Sequence, residues 1–431
     1  MVYLLYDLTL LVAGLFLLPY AFFKGLPYGH SLAGIRQRLG LYPAADLQAL
    51  RGNKVFWIHA VSVGEVRASL PLVKALKRQF PDSRIVLSGM TFTGHQVARA
   101  ADGVDLAVFF PFDFSPIVKR ALRAVNPDLI VIIETEIWPN FIRLAKRGGI
   151  PLVLANGRIS QKSFPRYLAL KKFVRPLLEK FSVIAMQDAA GARRIRALGA
   201  PAQLVQVTGN MKFDLPPATA GPVDPAQHDV LSDMLRGKFV WVGGSIRSGE
   251  AEILLHCHRT LIEQGIPSFL ILAPRHPHRF STVAELLKKE AVPFVQRSSL
   301  AAAAPVAEET QVLLVDTVGE LTRFYALGQA IFVGASLVPL GGHNLLEPAQ
   351  LGKPVLFGPH IFNFKEIAKL LLECGAGLKV NSGEELVEKL AVLFADQALR
   401  TEMGRAGLAL IRDNVGATER TLASIRTIVE S

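Results

Sequence analysis

The hydrophobic positions of this chain follow two alternating rhythms. Short, β-branched apolar runs fall at 55–62, 84–90, 105–112, 129–134, 151–156, 183–188 and 204–209. Between them apolar residues recur at helical spacing, as in Val66 to Phe80. A run that is apolar at every position is buried on both faces, the condition of a parallel strand covered by helices on each side. The series predicts a doubly wound α/β domain. It breaks at 213–225, where FDLPPATAGPVDP lacks periodicity and is rich in proline. The rhythm restarts at 239–245, 269–275, 312–318, 330–336 and 354–359, predicting a second domain of the same kind. The helical pattern from about Glu384 to Ser431 either caps that domain or crosses back to the first. Ala301 to Ala304 reads as a loop.

The first residues follow neither rhythm. Tyr3 to Phe23 is nearly unbroken apolar sequence, interrupted by Asp7 and Pro19. About 20 such residues span a bilayer core. No Lys or Arg precedes Lys24, so the basic n-region of a cleaved signal peptide is missing. The stretch is expected to be an uncleaved anchor. Lys24, Arg36, Arg38 and Arg51 follow it, and the positive-inside rule puts that side in the cytoplasm. The expected layout is an anchor at 1–24, a first domain at 25–212, a linker at 213–238 and a second domain with terminal helices at 239–431.

Charge and cysteine content narrow the partners. Among 431 residues, 48 Lys and Arg against 36 Asp and Glu give a formal charge of +12. The basic residues form no run of five, which disfavours nucleic acid and favours an anionic surface or substrate. Two cysteines exclude a disulfide scaffold and a four-cysteine zinc site.

Open α/β sheets bind ligands beyond the carboxyl ends of their strands. Two facing domains of this kind would enclose a cleft. The conspicuous residues do follow strands. In HAVSVGE, Glu65 enters a helix, as a dipole-compensating acid or as a general base. His59 in the strand reads as a core histidine. In ETEIWPN, alternation puts Glu134 and Glu136 on one face if the strand continues, one free to pair with a base and one to face the cleft. GNMKFD supplies Lys212. GGSIRSGE suits an anion at a helix start but is not a Walker sequence. APRHPHR places Arg275 for bidentate phosphate contact. His276 and His278 lack a third ligand nearby, so no metal is expected. Gly319 precedes the exposed N–H groups of Glu320 and Leu321. In GGHNLLEP, Asn344 sits in a glycine-rich loop, and Glu347 could accept two ribose hydroxyls.

The loop with Asn344, Glu347 and Pro348 resembles the nucleotide-sugar site of GT-B glycosyltransferases. With HAVSVGE, ETEIWPN, GNMKFD and APRHPHR, in this order, the chain resembles the 3-deoxy-D-manno-octulosonic acid (Kdo) transferases of lipid A. That resemblance implies a GT-B fold of two Rossmann-like domains facing a cleft, with an N-terminal membrane anchor. It implies transfer from CMP-Kdo to a lipid A precursor at the anionic inner-membrane surface, with inversion, and without metal, cofactor or nucleic acid. It further implies Glu65 as proton acceptor, with Glu136 and Lys212 stabilising the transition state. CMP contacts would fall on Pro274, Arg275, Gly319, Glu320, Leu321, Asn344, Leu345, Leu346 and Glu347. Another GT-B enzyme, such as a nucleotide-sugar epimerase, or a non-catalytic nucleotide-binding protein would share the second-domain glycines.

Overall fold

The computed structural model of the chain describes residue 3, residues 5–12, residue 14, and residues 32–214, 231–300 and 307–430. The chain divides into two compact units, Met1–Leu215 with Asn414–Ser431, and Pro216–Asp413.

The first unit is built on seven parallel strands. These are β1 (Val55–His59), β2 (Arg84–Gly89), β3 (Leu106–Phe109), β4 (Leu129–Ile133), β5 (Leu152–Gly157), β6 (Val183–Met186) and β7 (Val205–Val207), in the order β3-β2-β1-β4-β5-β6-β7. Trp57, Ile130, Ile132 and Leu154 pack on one face, and Phe56, Ile58, Val131 and Ile133 on the other. Each such side chain contributes roughly 1.5–3 kcal/mol on burial. β-propensity spans only about 1 kcal/mol, so two-sided burial sets these strands. Helix α1 (Val63–Gln79) follows β1, α2 (Phe92–Arg99) follows β2 and α3 (Pro139–Arg147) follows β4. Side chains of Ser62 and Thr91 cap α1 and α2.

The second unit repeats the plan with β8 (Phe239–Ile246), β9 (Ser268–Pro274), β10 (Phe294–Gln296), β11 (Val312–Leu314), β12 (Ala330–Val333), β13 (Val355–Phe357) and β14 (Gly377–Lys379). Their order is β10-β11-β9-β8-β12-β13-β14. Helices α4 (Glu250–Glu263), α5 (Leu321–Leu327) and α6 (Leu346–Gln350) follow β8, β11 and β12. Each sheet reverses its strand order at the middle, between β1 and β4 and between β8 and β12. Ligands bind at such switch points in open α/β sheets.

One expectation needs correction, and another falls largely outside the described residues. The second domain does not extend to residue 431: helix α7 (Ala417–Glu430) belongs to the first unit. Its Ala417, Leu422 and Ile425 are buried in the cluster around Phe56 and Ile58. Asp214 fixes its start, accepting from Gly416 N at 2.7 Å and Thr418 N at 2.5 Å. The expected anchor is described only in part. Residues 3, 5–12 and 14 are helical, and 15–24 of the expected span lie outside the described residues. Among the described residues no helix is long and apolar enough to cross a membrane. Most of the proline-rich break and the alanine loop also lie outside them.

Candidate active site

At the first switch point the sequence folds a carboxylate into place. Ser62 Oγ accepts from Glu65 N at 3.4 Å and donates to Glu65 Oε1 at 2.9 Å, while Val61 N donates to Glu65 Oε2 at 2.7 Å. This resembles the capping box of S-x-x-E at a helix start, except that the glutamate reaches the N–H one residue before the Ser62 cap. It fixes both carboxylate oxygens at the carboxyl end of β1. Burial pushes the Glu65 carboxyl above its usual range, and the Glu134 charge adds to this. The two hydrogen bonds and the Lys212 charge oppose the shift.

β4 does not continue through ETE. It stops at Ile133, and Glu134 takes a left-handed φ of 61° with its N–H bonded to Ala155 O at 2.9 Å. The break separates the two acids. Glu134 Oε1 pairs with Lys212 Nζ at 2.9 Å. Glu136 is pushed up to about 7 by burial, then by the charges of Glu65 and Glu134. Thr135 holds the loop between them, bonding to the backbone of Arg158 at its N–H (2.8 Å) and its carbonyl (2.5 Å). Lys212 lies in a single turn, Met211–Phe213, whose Met211 N–H donates to Asn156 Oδ1 at 3.0 Å. Glu65, Glu134, Glu136 and Lys212 therefore form one electrostatic cluster. His59 stands apart from it. It is fully buried, stacked on Phe110 at 3.7 Å and bonded to Ser88 Oγ at 3.0 Å, and burial lowers it to about 3. It is a neutral core histidine.

The second switch point gathers cations and glycines. Pro274 ends β9 and is buried, whereas Arg275 is exposed beyond it. Arg247 is hydrogen-bonded to the His276 ring. A Cβ on Gly244 would collide with the ring of Tyr325, so β8 needs glycine there. Burial raises the Tyr325 hydroxyl and the Glu347 charge adds to it, while a hydrogen bond to Ser245 and the Arg275 charge act against it. The charges of Arg275 and Glu347 thus both act on one buried hydroxyl. Gly341 and Gly342 adopt φ of 92° and 76°, and the chain then turns so that Asn344 Nδ2 donates to Glu347 Oε1 at 3.1 Å. Leu345 and Leu346 are buried, so only their backbone could meet a ligand. Gly319 has φ 91°, and Glu320 accepts from Arg297 at 3.0 Å, from Arg323 at 3.2 Å and from Thr317. Burial acts to raise Glu320, but those bonds and charges hold it below its usual range. α5 has only seven residues.

A family-wide sequence profile for "3-Deoxy-D-manno-octulosonic-acid transferase (kdotransferase)" matches residues 33–215. The 3-deoxy-D-manno-octulosonic acid transferase of Haemophilus influenzae is 36% identical over 398 residues, covering 92% of this chain and 91% of its own. The enzyme of that name from Chlamydia pneumoniae is 32% identical over 432 residues, covering 98% of this chain and 96% of its own. The chain belongs to the Kdo transferase family. It is accordingly a glycosyltransferase of lipopolysaccharide biosynthesis. A solved glycosyltransferase from Rickettsia africae superposes with a TM-score of 0.53 at 13% identity, over 88% of this chain and 99% of its own. At that identity it shows the GT-B fold alone.

Two residues of this Kdo transferase escaped the sequence reading. Glu250 is fully buried and accepts four backbone N–H bonds. They come from Arg247 at 2.9 Å, Ala335 at 2.7 Å, Ser336 at 3.0 Å and Leu337 at 3.1 Å. It ties the turn after β8 to the loop after β12. GGSIRSGE had suggested an outside anion at this helix start. The Glu250 carboxylate takes the N–H of Arg247 and braces the turn. The reach back by three residues, as in a capping box, was the available signal. Asn156, at φ 55°, holds the Lys212 turn across 55 residues and left no local sign.

Proposed function

We propose that this protein transfers Kdo from CMP-Kdo to a lipid A precursor of the lipid IV-A type, with Glu65 as general base. The observation that carries the reading is Glu65 itself. Its carboxylate is aimed by two hydrogen bonds, and burial raises its proton affinity above the usual carboxylate range. A base matched to working pH is most effective. An acceptor hydroxyl attacks the anomeric carbon while the bond to the CMP phosphate breaks. The hydroxyl proton passes to Glu65, and the electron pair leaves with CMP. Attack opposite the leaving group inverts the centre. Lys212 has donors beyond the one given to Glu134 and holds the donor's carboxylate. Glu136 stabilises the transition state beside it.

The second unit takes the donor. Arg275 stabilises charge growing on the phosphate, supported by the backbone N–H groups after Gly319. Glu347 and Asn344 hold the ribose, and Pro274, Leu345 and Leu346 shape the nucleotide pocket. The first unit takes the acceptor. The apolar N-terminus, with Leu5, Leu8, Leu11 and Val12 exposed, supports attachment to the cytoplasmic face of the inner membrane.

The test is transfer from CMP-Kdo to a tetra-acylated lipid A precursor, resolved by mass, for wild type and Glu65→Ala. The expected result is Kdo addition by wild type and CMP binding without transfer by the variant. No product from wild type would sink the substrate pair. Equal products would reduce Glu65 to a helix cap.

A further inference from the structure

Asp7 is a charged residue in an apolar stretch, and the structure gives it partners. The N-terminal helical segment lies on the start of α3, the helix that closes the loop carrying Glu136. Pro139 opens α3 without an N–H to bond, and the next two N–H groups go to Asp113. Asn140 N donates to Asp113 Oδ2 at 3.1 Å and Phe141 N to Asp113 Oδ1 at 2.8 Å. Asn140 is fully buried, and its side chain is saturated. Its Nδ2 donates to Asp113 O at 2.6 Å and to Asp7 Oδ1 at 2.7 Å. Its Oδ1 accepts from Ser115 Oγ at 3.0 Å and Arg143 Nη2 at 3.1 Å. An amide has two donors and two acceptor sites, and all are used.

The N-terminal segment completes this network from outside the sheet. Asp7 Oδ1 also accepts from Ser115 N at 3.1 Å, and Tyr6 hydroxyl donates to Asp113 Oδ2 at 3.1 Å. Arg143 donates to Ser115 Oγ at 2.8 Å and lies 4.7 Å over the Tyr3 ring. Tyr3 and Tyr6 both meet Phe173. The opposite face of the segment, Leu5, Leu8, Leu11 and Val12, remains exposed.

We infer that Asp7 is a positioning residue for the transfer reaction. By completing the Asn140 network it makes the N-terminal helix a brace on the Glu134–Trp138 loop, beyond any service as a tether. Without Asp7 a buried amide donor loses its partner, α3 loosens at its first turn, and Glu136 loses its fixed place beside Glu65. The inference rests on the proposed Kdo transfer for its kinetic arm only.

The experiment compares full-length wild type, Asp7→Ala, Asp7→Asn and the control Thr9→Val, all in phospholipid vesicles. Among the described residues Thr9 bonds only to Leu5 O of its own helix, at 2.9 Å. Amide exchange is read at Asn140 and Phe141, with kcat, donor KM and the pH profile of kcat. In Asp7→Ala the expected results are roughly tenfold faster exchange at those two amides, kcat lower by about tenfold, a shifted pH profile and unchanged donor KM. Asp7→Asn should fall between, and Thr9→Val should match wild type. Unchanged exchange or unchanged kcat in both Asp7 variants overturns the inference, as does an equal loss in Thr9→Val. If wild type transfers no Kdo, the proposed reaction fails, while the exchange arm still decides whether Asp7 braces α3.

Discussion

The two sheets share strand order and switch point, yet their acids live differently. At the end of β1 and β4, Glu65 receives two hydrogen bonds, and Glu136 sits in burial that no hydrogen bond among the described residues offsets. At the end of β8, Glu250 is more deeply buried but receives four. Four donors make the Glu250 carboxylate a clamp between two loops, whereas burial raises the proton affinity of Glu65 and Glu136 at the other sheet. The first end can take up a proton, and the second presents Arg275 over a fixed frame.

The comparison breaks first at Glu65. Glu65→Gln should lower transfer by about 10²–10⁴-fold with CMP binding retained, measured by steady-state kinetics and calorimetry. Next comes Glu250→Gln, where the amide turns donors towards N–H groups. The expected cost is about 2–4 kcal/mol of stability, read by denaturant unfolding, against little change for Glu65→Gln. Arg275→Ala removes one charge-assisted contact, and kcat/KM for CMP-Kdo should fall roughly tenfold to a hundredfold with unfolding unchanged. The smallest effect sharpens the contrast. Native Glu136 titrates near 7 against an ordinary 4.5, so between those values the folded state holds more protons than the unfolded one. The stability from this group is full below about 4.5 and is lost as pH rises through 7. Glu136→Gln should therefore match wild type in stability near pH 4.5. At pH 8 it should exceed it by on the order of 1–2 kcal/mol, discounted for partial exposure, as denaturant titrations at both pH values would show.

The central strands were legible because two-sided burial leaves unbroken apolar runs. β10 and β14, three residues each at the edges of the second sheet, were not, since they are only partly buried and leave no apolar run. Glu65 was legible because it follows an apolar strand and enters a helix, a local pattern. That one acid of ETE would pair with a base was also legible, but not which acid or which base: this depends on a left-handed turn at Glu134 and on Lys212, 78 residues away. The same limit hid Asp7, which reads as a flaw in an apolar stretch until Ser115 and Asn140 are beside it.

Helix α7 has a consequence for synthesis. The second unit is continuous in sequence, whereas the first is closed by residues that follow the whole of the second. A growing chain presents the seven strands of the first sheet early, but the patch later covered by Leu422 and Ile425 stays bare while about two hundred further residues emerge. Ribosome-bound chains ending before residue 414 should thus be the form of this enzyme most in need of chaperones.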